Sequence, residues 1–346
     1  MDKYEICAAL LQYPLISTSN YAHFIELGGQ IRTFDANERD ASNAFHKIQA
    51  NGVGNHCRWM LTDEALIVRR ADGSFVAKPR PAELPYESAI AYRAVFSFCS
   101  ADSDFIVLSA NRRIFIVRVN ANNVEEEHLD IDVCCFSGYS TTESDYALFG
   151  QTPRPKTGGY GSPAMVEVKG SQSALRKLAP ITGIKLESII AMIPAPTTRF
   201  LVGAETPRPA SMEDFDFGYR RFSDEYDQDR LWLFAQDQSL NIPPLKMEDT
   251  RFVGCVGPKF QERAFFESKQ KIADGRNGQA MMISVKGDGS TTSHEIAGLD
   301  YKSSILRIQF DPLIGWFGIA DQHNAVRDRY LLSSSDGNIW GASRIS

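Results

Sequence analysis

The chain has 346 residues, 37 of them basic and 43 acidic, for a formal net charge of -6, with 43% hydrophobic and 23% charged residues. This balance excludes global disorder and leaves no basic excess to follow a nucleic-acid backbone. No run approaches the roughly 20 apolar residues that cross a bilayer, and the leading MDKYEICAALLQYPLIS carries an acid at Asp2, so neither a membrane span nor a secretory signal is expected.

Cys7, Cys57, Cys99, Cys134, Cys135 and Cys255 show no C-x-x-C pair and no disulfide-framework spacing, which suits small apolar residues in an intracellular core and predicts a cytoplasmic protein. Cys134 and Cys135 are adjacent, and adjacent residues of a strand point to opposite faces.

From the amino terminus onward, the same signal recurs: a β-branched or aromatic run, a short turn, and a second such run, which together read as a hairpin. The turns fall around Gly28, Asp72, Asn122, Gly170, Asp237, Asp288 and Gly337. Their spacing is about 48 residues with one swollen interval of about 67, a period that belongs to repeat architectures.

Ahead of most hairpins lie two further strand-like runs. The first is AVFSFCS, VCCFSGYS, SIIAMIPA, FVGCVG or ILRIQFD; the second is FIVLSA, YALFGQ, RFLVGAE, RAFFES or GWFGIAD. Each unit thus reads as four short antiparallel strands. No capped helical pattern appears apart from a turn or two near Asp40 to Lys47, and the CAALL run either completes the first unit or closes the ring.

On these runs the chain resembles the β-propeller superfamily over essentially its full length, in period and strand pattern. The resemblance implies an all-β fold: one propeller domain over 1–346, with seven blades of four antiparallel strands. The tail SSDGNIW, Ser334 to Trp340, looks like the aspartate box of sialidase-type propellers with one residue fewer between Asp and Gly; an Asp-Gly turn ahead of a packed tryptophan accounts for it.

LFGQTPRP, ending at Pro155, is echoed by LVGAETPRP, ending at Pro209. Proline cannot donate to a ladder and biases its predecessor to an extended conformation, so TPRP reads as a strand exit. It leads into the connection between second and third strands, and such connections gather on one rim. They are long in four consecutive units: Gln151 to Pro163, Glu205 to Arg230, Lys269 to Gln279 and Asp321 to Arg329.

The insertion at 205–230, within the fifth blade, mixes acids with aromatics, a composition that argues for contact rather than for a solvated linker. Arginines and aromatics dominate binding hot spots. The expected partner-binding residues are therefore Arg154, Arg208, Phe217, Tyr219, Arg220, Arg221, Tyr226, Arg276 and Arg329.

KTGGYGSP lacks the helix and G-K-[ST] of a phosphate loop, the six histidines lack zinc spacing, and no G-x-S-x-G elbow occurs. No cofactor or metal is expected. The sequence reading is a propeller that binds a protein partner without catalysis, as an adaptor, stoichiometric inhibitor or immunity-type protein. The alternative is a carbohydrate-active or carbohydrate-binding propeller with paired carboxylates on the ring axis. Neither nucleic acid nor membrane is an expected partner.

Overall fold

The computed structural model describes residues 3–17, 21–26, 30–35, 48, 50–62, 64–80, 94–110, 113–140, 142, 144–152, 162–178, 184–193, 199–205, 231–240, 242–248, 250–255, 263–268, 279–300, 303–322 and 328–345. A short helix, α1 (Lys3–Leu10), precedes a succession of antiparallel meanders. The first is three-stranded, β1 (Leu15–Ser17), β2 (Tyr21–Ile25) and β3 (Ile31–Asp35).

Four four-stranded sheets follow, each paired in chain order. They comprise β4 (Ala50–Val53), β5 (Cys57–Leu61), β6 (Ala65–Arg70) and β7 (Phe75–Pro79), then β8 (Ala94–Cys99), β9 (Asp104–Ala110), β10 (Arg113–Val119) and β11 (Val124–Leu129). After these come β12 (Cys134–Ser140), β13 (Asp145–Gln151), β14 (Pro163–Lys169) and β15 (Gln172–Lys177), then β16 (Leu186–Ile193), β17 (Phe200–Glu205), β18 (Leu231–Ala235) and β19 (Leu245–Lys246).

The last two meanders are β20 (Thr250–Cys255), β21 (Arg263–Ser268), β22 (Gln279–Lys286) and β23 (Thr291–Asp300), and β24 (Ser303–Asp311), β25 (Gly315–Gln322), β26 (Asp328–Ser334) and β27 (Trp340–Ile345). They merge into one eight-stranded sheet because β23 pairs in parallel with β27, Ile296 opposite Trp340 and Ala297 opposite Gly341. The layout is an all-β, propeller-like arrangement of four-stranded antiparallel sheets.

The strand character follows from where each strand sits. Second and third strands are covered by a neighbouring sheet on both faces, so they read as continuous apolar runs rather than alternating ones: Tyr146, Ala147, Leu148 and Phe149 of β13 are all buried, as are Ile114, Phe115, Ile116 and Val117 of β10. Fourth strands lie at the outside and carry charge, as in the VEEEHL of β11. The hairpins joining third to fourth strands repeat one device, an aspartate that accepts the backbone N–H two residues on. Ser74 N donates to Asp72 at 2.9 Å, Ser239 N to Asp237 at 2.9 Å and Ser290 N to Asp288 at 2.8 Å. These bonds hold all three carboxyls below the usual range, those from the serine hydroxyl and amide being the largest cause.

The tail turn is a variant of the same device. Asn338 N and Ile339 N donate to Asp336, Trp340 Nε1 donates to Gly337 O at 3.2 Å, and the buried Trp340 ring meets Phe265 edge-on at 5.5 Å. SSDGNIW is thus a packed turn.

First strands are innermost. β4 meets β8, β8 meets β12, and the succession runs through β16, β20 and β24 before β24 returns to β4, while β1 lies against β4. The three-stranded sheet wedges between its neighbours: Phe24 and Leu15 pack with Met60 and Ile67, whereas Ile16 and Ile25 pack with Phe317 and Ile319.

The amino-terminal run corrects the sequence reading, which found no helix there and offered CAALL as a strand. Residues Lys3–Leu10 are helical, with Cys7, Ala8 and Leu11 buried against Met60 and Ile67, and Arg69 Nη1 donating to the otherwise orphaned Ala8 O at 3.2 Å. The turn expected near Asp40 to Lys47 lies outside the described residues.

Candidate axial binding site

Four successive first strands carry a β-bulge. Register shifts fall between Cys135 and Ser137 in β12, between Ile189 and Ala191 in β16, between Phe252 and Gly254 in β20, and between Ile305 and Arg307 in β24. A bulge puts two residues opposite one and re-aims side chains. Phe136, Ile190 and Val253, the extra residues in three of these strands, all reach the wall of a cavity of about 580 Å³ on the ring axis. Close approach demands glycine at the same level: a Cβ on Gly254 would stand 2.4 Å from Ile308 O, and one on Gly150 would stand 1.8 Å from Cys134 O.

The cavity is lined by the later residues of β4, β8, β12, β16, β20 and β24, together with Asn55, Ser100, Arg199 and Pro312 from the turns that follow first strands. It therefore lies toward the end of the ring where first strands pass into second strands. The expected binding rim, built from connections between second and third strands, is at the opposite end.

Two guanidiniums stand in the wall. Arg199, in the turn before β17, lies 3.8 Å above the Tyr139 ring and donates from Nη1 to Tyr139 Oη at 2.9 Å. Tyr139 is itself stacked on buried Phe149 at 5.9 Å, which holds the pair in place. Arg307, just past the bulge of β24, donates from Nη2 to Asn51 O at 2.8 Å and from Nη1 to Asn51 Oδ1 at 3.3 Å. Desolvation by burial pulls its pKa down to about 10, so the cation is held in a poorly hydrated setting.

The remaining wall is aromatic and donor-bearing. Phe96, Phe136, Phe252, Phe310 and Trp59 supply rings, and Asn55, Ser97, Ser137 and Ser140 supply polar groups. Trp59 Nε1 and Ser137 Oγ are buried with no hydrogen-bond partner among the described residues. Such orphans are uncommon in a native interior and ask for an acceptor.

Among the described residues no Asp, Glu or His lines the cavity. Among the described residues this wall holds no carboxylate pair of the kind a carbohydrate-active propeller would use. Cys99 also reaches the cavity, but burial first and the Asp104 carboxylate second push its thiol well above its ordinary range, so it is a poor nucleophile. No cluster of three metal-ligating side chains occurs among the described residues.

Of the residues expected to bind a partner, Arg154, Arg208, Phe217, Tyr219, Arg220, Arg221, Tyr226 and Arg276 lie outside the described residues. Arg329 is described and stands in β26 directly opposite Asp321 of β25, with Nε 3.3 Å from Asp321 Oδ1. Sequence reasoning missed Arg199 and Arg307. The available signal was Arg307 and Gln309 breaking the apolar run of ILRIQF, where comparable first strands are apolar or small.

No protein-family model and no curated protein matches the chain. Solved structures do. Cobalt-substituted apocarotenoid oxygenase of Synechocystis matches with a TM-score of 0.49 and 8% identity, over 94% of this chain and 86% of that one. AztD of Citrobacter koseri matches with a TM-score of 0.43 and 10% identity, over 96% and 86%. The dihydro-heme d1 dehydrogenase NirN in complex with DHE matches with a TM-score of 0.44 and 9% identity, over 96% and 69%.

The expectation of a protein-binding platform that uses the rim is corrected: the recess with convergent side chains among the described residues is axial, toward the end opposite the expected rim. No helix among the described residues is long and apolar enough to cross a membrane.

Proposed function

We propose that this chain is a seven-bladed propeller that takes a small organic molecule into its axial cavity. The seven blades are the three-stranded β1–β3 sheet, the four four-stranded sheets and the two halves of the eight-stranded sheet, counted as separate meanders. Supporting the count, β1–β3 shares apolar cores with the sheets on both sides of it.

The observation that carries the functional reading is the wall itself. Six first strands contribute to one cavity of about 580 Å³, a size in the range of small-molecule sites, and the wall combines several rings with a few convergent polar groups. Four bulges in neighbouring strands aim residues at it.

The test is occupancy. Native mass spectrometry and thermal-shift screening against a mixed library of neutral, anionic and cationic small molecules should return stabilising ligands. Ser97→Trp or Ser140→Trp, each filling the cavity from a different strand, should abolish those shifts with circular dichroism unchanged. Ligands that stabilise the cavity-filled variants as well as the parent would show that they bind elsewhere and would sink the reading.

A further inference from the structure

The chain carries a net charge of -6, yet among the described residues the charged side chains in the axial wall are Arg199 and Arg307. We propose that the ligand of this cavity is a planar organic anion, its carboxylate or comparable oxyanion taken by Arg199 and its ring stacked among Phe96, Phe136, Phe252 and Phe310. The proposal rests on the reading of the cavity as a ligand site and deepens it to a chemical class.

Arg199 is built to receive such a group. A guanidinium has five N–H donors in a rigid fork, and the described structure engages Arg199 through Nη1 to Tyr139 Oη and through its face to the Tyr139 ring. These two contacts with one tyrosine orient the guanidinium, and its remaining N–H donors are the ones that can take a carboxylate. The Tyr139 ring is in turn held by Phe149, so little side-chain freedom remains to be lost on binding.

Arg307 adds a second positive charge in the same wall, in surroundings where water screens it weakly. Its donors go to Asn51 across the junction of β24 and β4, so it acts on the ligand through its field. The polar groups of Asn55, Ser97 and Ser140 in the lining suit a guest that carries acceptors. A cationic guest would meet two like charges and no lining carboxylate among the described residues. A fully apolar guest would offer these groups and Arg199 no acceptor.

The planar part follows from the rings. Aromatic walls favour offset-stacked or edge-on partners, and such contacts add to simple burial. An inorganic anion would use Arg199 but leave most of the aromatic wall uncovered.

The experiment uses a matched pair of probes, 2-naphthoate and its neutral counterpart 2-naphthamide, titrated into the full chain by isothermal calorimetry at neutral pH. The acid is expected to bind at least tenfold more tightly than the amide. Arg199→Met should erase that preference while leaving amide affinity within about twofold, and Arg199→Lys should restore part of it. Tyr139→Phe keeps the ring and removes the hydroxyl contact, and should weaken acid binding several-fold without changing the amide.

Equal binding of acid and amide to the parent would overturn the anion assignment and leave the cavity reading standing. Failure of both probes to bind at millimolar concentration would overturn the planar-anion assignment, and the library screen with the cavity-filled variants decides the cavity reading separately. If Arg199→Met is poorly folded, Tyr139→Phe and the salt dependence of the acid's affinity in the parent decide the matter. A preference for the acid that survives high salt and Tyr139→Phe unchanged would count against the site.

Discussion

The seam between β8–β11 and β12–β15 and the seam where β24 returns to β4 differ in their balance of materials. In the first, Phe98 and Phe105 stack at 4.8 Å, Tyr146 meets Phe105 at 5.3 Å, and Val107, Ile114, Leu148 and Val166 complete an apolar cluster, with two hydrogen bonds beside it, Tyr146 Oη to Glu127 Oε2 at 2.8 Å and Cys135 N to Ser109 Oγ at 2.9 Å. In the second, a buried ion pair joins Arg58 Nη2 to Asp311 Oδ1 at 2.8 Å, Arg307 and Asn51 bond across the junction, and Asn51 Nδ2 and Gln309 Nε2 both donate to Leu15 O. Apolar burial is non-directional, whereas hydrogen bonds demand one register. Apolar packing dominates the first seam and polar keying the second, and keys recur at other seams, where Asp104 accepts Asn55 N, His56 N and Cys57 N and where Arg251 donates to Ser304 Oγ and Ile305 O.

The largest effect should come from the apolar seam. Phe105→Ala removes a fully buried ring from the middle of apolar packing between two sheets and should cost about 4 kcal/mol in urea unfolding, with no second substitution nearby able to recover it. A loss below about 1 kcal/mol would mean that the seam is loosely packed and that the contrast with the closing seam fails.

At the closing seam the loss should be reversible by design. The Asp311 side chain is 0% exposed and that of Arg58 15%, and burial is the largest influence on both, raising the carboxyl pKa and lowering the guanidinium pKa despite their mutual attraction. Desolvation therefore offsets much of the Coulomb gain, and the pair contributes keying more than stability. Arg58→Met alone should cost about 3 kcal/mol by stranding a buried carboxylate, and Arg58→Met with Asp311→Leu should recover most of it. A double variant as unstable as the single one would show that the pair is a net stabiliser.

The closing seam should also be the one that feels pH. His23, in β2, is fully buried with Nδ1 3.0 Å from Thr33 Oγ1, and burial first and Arg329 second lower its pKa to about 4. The folded state thus holds this imidazole neutral, while the unfolded chain protonates it near pH 6.5. Between those values the unfolded state binds more protons, so stability present above pH 6.5 is lost as pH falls toward about 4. The expected loss is about 2 kcal/mol between pH 6.5 and about 5, read by urea midpoints, and His23→Gln should flatten that slope. An unchanged slope in the variant would place the titration elsewhere.

The same division explains what was legible in the sequence. Hairpins, first strands and second strands were readable because a strand buried on both faces must be an apolar run, and because Asp-x-Ser turns recur at the ends of third strands. The helix Lys3–Leu10 was not readable: eight residues give about two turns, too few for a 3.6-residue period to stand out. The axial wall was harder still. Its residues come from six strands spread along the chain, one or a few per strand, and the bulges that aim them depend on pairing across strands. Only Arg307, a charge inside an inner-strand run, left a local trace.

Substitutions on the outer hairpins should leave both seams untouched and so set the floor of the comparison. Asp288 accepts Ser290 N at 2.8 Å in an exposed turn, and Gly289 beside it holds φ at 81°, so the aspartate supports a backbone shape that glycine already permits. Removing the carboxylate leaves Ser290 N to water rather than stranding it in the core. Asp288→Ala should therefore cost about 0.5 kcal/mol in urea unfolding, the net worth of an exposed hydrogen bond. A loss matching that of Arg58→Met would mean that the outer turns, and not only the seams, key the ring.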